Sequence, residues 1–186
     1  IGREKLDFLL KWISDTLEIN PTARIVVFSR FRAELFRAHK ELKEKFPDVP
    51  LGLIIGAQPR DQRREALRLF HPDTVDRTKP GIVLCSSAAG SLGLNFAGAS
   101  IVFRMSIDFS LKNRLQGEDR AHRPGQIERV STFDLIALGP DGQRTVDYTT
   151  LLALQEKHNL AEWTVSAWVK ALSNEKIPGF PNETIQ

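Results

Sequence analysis

Leu6, Leu9, Leu10, Ile13 and Leu17 fall three or four residues apart, which sets them on one side of a helix that Asn20-Pro21 closes. The pattern then changes. Ile25-Val26-Val27-Phe28 is an unbroken apolar run of strand length, the kind buried on both faces. Helical spacing returns through Leu35 and Leu42 to Phe46, and Pro47 and Pro50 punctuate the chain before a second apolar run at 51–55. A basic segment at 59–70 predicts a helix, and the polar stretch between Pro72 and Pro80 predicts an exposed loop. Strands are predicted again at 82–85, 100–103 and 130–137. Alternating helix and strand predict an α/β fold with a parallel sheet sandwiched by helices.

Beyond Leu138 the character changes. Gly139-Pro140-Asp141-Gly142 is a turn signal, and residues 145–158 read as an amphipathic helix carrying Val146, Leu151 and Leu154. Trp163 and Trp168 are expected to be docking or core aromatics, and residues 177–186 a loosely ordered tail. The chain therefore divides into a lobe at 1–138 and a C-terminal helical extension at 139–186 that packs on it. No internal repeat interrupts this plan.

Composition narrows the picture. A chain of 186 residues, 41% hydrophobic, buries one core, and a net charge of +3 is too slight to announce a nucleic-acid binder by itself. The single cysteine, Cys85, excludes an internal disulfide framework and a multi-cysteine zinc site. It follows Ile82-Val83-Leu84 and is expected to be a buried structural thiol. No apolar run is long enough to span a membrane and no signal peptide opens the chain, so an intracellular protein is the default expectation. The chain begins at Ile1, as an excised domain would.

Candidate chemistry concentrates in residues 114–126. Gln116 and Arg120 are four apart, and Arg120 and Arg123 three apart, so a helix running through them places all three on one side. Pro124-Gly125 follows directly, which sets Arg123 at the last turn or just past it. Guanidiniums held there suit two-pronged capture of a phosphate, although cations at a helix end also simply complement its dipole. His122 faces away from Arg120 and is expected to make a structural hydrogen bond. At 60–68, Arg60, Arg64 and Arg68 share a helix face with Arg63 beside it; that stripe either lines a nucleic-acid groove or is a solvated face with internal ion pairs.

These segments, taken in order, resemble the motifs of superfamily 2 helicases in their Swi/Snf-like form. Ile25-Val26-Val27-Phe28-Ser29-Arg30-Phe31 resembles motif IV; Gly56, Arg63 and Phe70 match a G-(six residues)-R-(six residues)-F signature. Residues 86–95, from Ser86 to Asn95, resemble motif V, Asp108-Phe109-Ser110-Leu111 stands in the place of a D-W-N-P linker, and residues 116–126 resemble motif VI. One such match is weak, whereas five in order cover most of the chain. Several positions depart from the pattern: Ala88, Ser91, Phe109, Ser110, Leu111 and Gly117 replace residues more usual in the family, which points to a divergent member, with a bacterial or phage source among the expectations.

The resemblance implies the second RecA-like lobe of an ATP-dependent DNA translocase. Arg120 and Arg123 would be arginine fingers, with Gln116, Gly93 and Asn95 near the nucleotide. Ser29 and Arg30 of motif IV and Ser86, Ser87 and Gly90 of motif V would meet the DNA backbone, with capping as the plainer use of the serines. It also implies ATP and Mg2+ held mainly by a first lobe, because neither Gly-Lys nor Asp-Glu occurs here to build a phosphate loop or a magnesium-binding pair. The partners expected are duplex DNA and that first lobe. The setting would be the cytoplasm or nucleoid of a bacterium or infected cell, or the nucleus of a eukaryote. Alternatives are an RNA or forked-DNA helicase lobe, and a non-enzymatic nucleic-acid-binding module on the same fold.

Overall fold

The computed structural model describes residues 3–56, 58–89, 94–108 and 110–172, and of 113, 116–118 and 163–172 the backbone alone. The elements run α1 (Arg3–Ile19), β1 (Arg24–Ser29), α2 (Arg32–Lys45), β2 (Leu51–Ile54), α3 (Arg60–Arg68), β3 (Gly81–Ser86), β4 (Ile101–Arg104), α4 (Leu111–Asp119), β5 (Ser131–Asp134) and α5 (Val146–Leu172). The strands form one sheet in the order β2-β3-β1-β4-β5, and every adjacent pair is parallel. This is the RecA-like α/β sheet expected of the chain.

Alternation along the central strands divides the interior in two. Ile25 and Val27 of β1, with Ile82 and Leu84 of β3, face α1 and α2 and meet Leu9, Ile13, Leu35 and Leu42. Val26 and Phe28, with Val83 and Cys85, face the other way onto Ala66, Phe70, Leu94 and Phe96. Every position of β1 and β3 is buried, which is why both read as unbroken apolar runs rather than alternating ones. Trp12 of α1 closes the first layer, its ring 4.7 Å from Phe103 and 5.2 Å from Phe133. Close packing of α3 on β2 depends on Gly52, where a Cβ would lie 2.9 Å from that of Ala66.

The outer edge of β2 is occupied by a side chain. Gln58 donates from Nε2 to the Leu53 carbonyl at 2.8 Å and accepts the Ile55 N–H at Oε1 at 3.3 Å. Its amide thereby takes the place of a neighbouring peptide unit.

Two local expectations are corrected. β5 spans four residues rather than 130–137 and is mostly exposed, because it is the last strand of the sheet. α5 continues to Leu172, well past residue 158. The turn signalled at 139–142 is present as a 3-10 turn over Pro140–Gly142, with Asp141 at φ 57° and Gly142 at φ 76°. The stretch between Pro72 and Pro80 is the mostly exposed connection expected, anchored where Val75 packs against the second core layer and the Arg77 side chain reaches main-chain carbonyls of two other segments.

Candidate nucleotide and nucleic-acid sites

The connection from β1 leads to β2 on one side of the sheet, whereas that from β4 leads to β5 on the other. Such a reversal opens a crevice at the carboxyl ends of the two strands. An open groove of about 940 Å³ lies there, lined by Lys5, Phe8, Arg30, Phe31, Ser106 and Val146 among others. Motif IV ends at its rim. Ser29 itself is fully buried: its hydroxyl donates to the Glu34 carboxylate, lies 3.2 Å from the Ser106 hydroxyl and accepts the Phe31 N–H at 3.0 Å. It ties the end of β1 to α2, with its side chain turned into the interior. Arg30 is exposed and its guanidinium sits 5.7 Å over the Phe31 ring.

Ser86 pairs in register with Ser29 and is likewise buried, so it too belongs to the frame. Ser87 is half-buried, and its N–H is spent on the Ser29 carbonyl at 2.9 Å. Gly90 and Gly93 lie outside the described residues, as does the side chain of Gln116. Asn95 is half-buried and accepts the Ala97 N–H at 3.1 Å, which turns the chain so that the Phe96 N–H meets the Arg120 carbonyl at 3.0 Å. Motif V and motif VI are therefore joined through main chain, and the structure brings Asn95 and Arg120 into one neighbourhood.

The helix expected to carry both arginines stops short of them. α4 ends at Asp119, so Gln116, Arg120 and Arg123 do not share a helix face. The reason is that the chain beyond α4 is held in another shape. The Arg120 carbonyl is committed to Phe96, and Gln126 donates to the Ala99 and Ala121 carbonyls at 2.6 and 3.2 Å. Gly125 adopts φ 97° where a Cβ would lie 2.8 Å from that of Pro72. The start of α4 is fixed as well, by Asp134 taking Arg114 at 2.7 Å and Arg104 at 3.2 Å.

Positive charge gathers around Cys85. The thiol is fully buried, and burial pushes its pKa up to about 12 against the opposing pull of Arg120 and Arg63. Arg120 is only 4% exposed; burial lowers its pKa, the charge of Arg123 lowers it further and Cys85 partly offsets both. Arg63 reaches the same place from α3. It donates to the Gly56 carbonyl at 3.3 Å, while its Nε is buried without a hydrogen-bond partner among the described residues. With Phe70 fully buried, the glycine, arginine and phenylalanine signature reads as a device that fixes α3 and aims one guanidinium inward. Arg123 is half-buried at the mouth of this cluster, and His122 is exposed with no ring hydrogen bond among the described residues, contrary to the bond expected of it. Arg120 feels the charges of Cys85 and Arg123, and Arg63 acts on the same thiol; guanidiniums so placed are a fit for an anionic group such as a phosphate. Arg60, Arg64 and Arg68 are exposed on α3 and face solvent. Among the described residues no group of three or more His, Cys, Asp or Glu side chains is placed to hold a metal.

Sequence reasoning missed Arg24, Arg77, Glu34 and Glu128. Arg24 heads an apolar strand, an odd place for a charge, and that was the one available signal.

Residues 4–125 match the family model described as the helicase conserved C-terminal domain. The chain is 30% identical over 156 residues to the human TATA-binding protein-associated factor 172, covering 82% of this chain and 8% of that protein. It is 30% identical over 158 residues to a Xenopus tropicalis protein, the SWI/SNF-related matrix-associated actin-dependent regulator of chromatin subfamily A containing DEAD/H box 1, covering 85% and 14%. This chain thus spans a small part of these curated relatives, and both come from eukaryotes, which lends no support to a bacterial or phage source. Among solved structures, the C-terminal part of the Fun30 ATPase domain superposes with a TM-score of 0.58 at 21% identity, covering 85% of this chain and 54% of that one. Domain 2 of the Mss116p DEAD-box helicase bound to an RNA duplex gives 0.58 at 19% identity, covering 71% and 50%. Both likenesses concern the fold.

Proposed function

We propose, for a chain that belongs to the helicase conserved C-terminal domain family, that it is the second motor lobe of a Swi/Snf-like ATP-dependent DNA translocase and supplies arginine fingers and DNA-backbone contacts. The observation that carries the reading is the convergence of Arg63, Arg120 and Arg123 on one spot beside Asn95. Charges of one sign held together in a partly buried place repel, and an arriving phosphate relieves that repulsion. Arg123 meets the phosphate from the surface and Arg120 from the floor of the cluster, both as arginine fingers. Gln116, Asn95 and the glycine at Gly93 form the adjoining edge of the nucleotide site.

ATP with its magnesium ion supplies the phosphoryl group, and a first lobe of the same protein holds both. What this lobe adds is charge at the transferred group, delivered only when the two lobes close, so that turnover is tied to a change of shape. On the other side Arg30 and Ser87 hold phosphates of duplex DNA at the strand ends, with the amide of Gly90 approaching closely and Ser29 and Ser86 keeping the frame rigid. Backbone contacts of this kind suit motion that ignores base sequence. Residues 1–138 form the lobe proper and 139–186 the extension that packs on it, in a nuclear setting if the source is eukaryotic.

The test is ATPase activity of the natural chain with its first lobe, with and without duplex DNA, for the native protein and Arg123→Ala. DNA-stimulated turnover that drops by about 10³-fold or more in the variant is the expected result. Turnover that survives the substitution removes the finger assignment, and no turnover in the native protein favours a binding module instead.

A further inference from the structure

The loop that carries Arg123 has no helix to hold it, and its rigidity comes from elsewhere. We infer that Arg77, from the connection between α3 and β3, is a positioning residue for the motif VI arginines; the inference rests on the finger reading above. The Arg77 side chain donates from Nη2 to the Gly125 carbonyl at 3.0 Å and the Ala97 carbonyl at 3.4 Å, and pairs through Nη1 with Glu128 at 3.4 Å. One guanidinium thus joins the segment just after motif V to the two residues that bracket the exit of motif VI. Beneath it lies a second guanidinium. Arg24, 2% exposed, donates to the Gly98 carbonyl at 2.6 Å and to the Arg77 carbonyl at 3.1 Å, and pairs with the other oxygen of Glu128.

The arrangement closes a circuit. Glu128 takes an arginine on each carboxylate oxygen, its own N–H donates to the Gln126 side chain at 2.9 Å, and that side chain holds the Ala99 and Ala121 carbonyls. Residues 121–128 are consequently fastened to the inner strand β1 at one level and to the segment after motif V at another. Arg24 is buried and inseparable from the core, whereas Arg77 is partly exposed and adds the contacts to Gly125 and Ala97. It is therefore the member that can be removed without dismantling the sheet. A charged group that must meet a transferred phosphate loses on the order of 10²-fold in rate for a displacement of about 1 Å. Arg77 prevents such a displacement of Arg123.

Four variants of the natural chain with its first lobe test this: Arg77→Ala, Arg77→Lys, Arg123→Ala and the double substitution of Arg77 and Arg123 by Ala, read as DNA-stimulated kcat and KM for ATP. Arg77→Ala is expected to lower kcat by about 10- to 100-fold with KM within about twofold. Arg77→Lys, which keeps the charge without the fork, falls between. The double variant is expected to be no slower than Arg123→Ala alone, because Arg77 acts through that residue. Losses that multiply would assign Arg77 to general stability and overturn the inference. Amide hydrogen exchange on the same proteins supplies an arm independent of turnover: in Arg77→Ala, protection at the Phe96 and Gln126 amides, bonded to Arg120 and Arg123, falls while that of β1 stays. Unchanged protection there overturns the clamp whatever the rates. If Arg123→Ala leaves turnover intact, the finger reading fails and with it the catalytic role of Arg77, while exchange still decides whether the loop is clamped.

Discussion

Cys85 shows how far one buried atom is governed by its surroundings. Its thiol is displaced from an ordinary value of 9.0 up to about 12, mainly by burial, with Arg120 and Arg63 pulling the other way. The unfolded chain ionises this thiol first, so between pH 9 and 12 the folded state holds the extra proton and stability falls as pH rises. Over that window the slope is expected to approach about 1.4 kcal/mol per pH unit from this group, and to flatten in Cys85→Ala, as denaturant titrations at pH 8 and 10.5 would show. Equal pH dependence in the two proteins would refute the assignment. At neutral pH the same thiol stays protonated and resists alkylation in the folded lobe. The arginines above it were legible from spacing with Pro124-Gly125, but the common helix that this spacing predicted does not form. What ends α4 at Asp119 is a set of bonds to Phe96 and Ala99 with close packing of Gly125 on Pro72, all distant in the chain, and no local pattern encodes those.

At the level of elements, two glycines fix how the layers approach. Gly125 combines φ 97° with a Cβ position 2.8 Å from Pro72, so Gly125→Ala is strained on both counts. It is expected to cost about 1–3 kcal/mol and to disturb the motif VI loop. Gly52→Ala forces α3 away from β2, where main chain of Ala66 stands 3.1 Å from the new atom, and is expected to cost a similar amount without touching that loop. Thermal melts rank both below the native lobe, and exchange at the Gln126 amide separates them; a loop disturbed equally by both would contradict the account. The elements themselves were mostly plain in the sequence, because residues 25–28 of β1 and 82–85 of β3 are apolar runs and α1 and α2 carry one apolar face each. β5 was overextended: an edge strand has one neighbour, and the apolar residues 135–137 belong to the groove wall instead. The connection from Pro72 to Pro80 was legible as exposed, but its anchors were not, because Arg77 above all is a polar side chain acting on main chain far away.

For the molecule as a whole, the lobe on its own is expected to show no ATP hydrolysis above background, since the sequence holds no Gly-Lys pair to build a phosphate-wrapping loop. Steady turnover by the purified lobe, abolished in Arg123→Ala, would contradict this. The order β2-β3-β1-β4-β5 carries one more consequence, for how such a chain comes into being. Ile25 of the central strand is flanked in the finished sheet by Ile82 and Ile101, both far downstream, and no hairpin brings a partner sooner. During synthesis β1 therefore emerges fully apolar and waits, unpaired, until β3 and β4 have left the ribosome. Pairings of that range place the lobe among slowly folding topologies, exposed to aggregation in the interval. Its most buried strand is the first made and among the last to be sheltered.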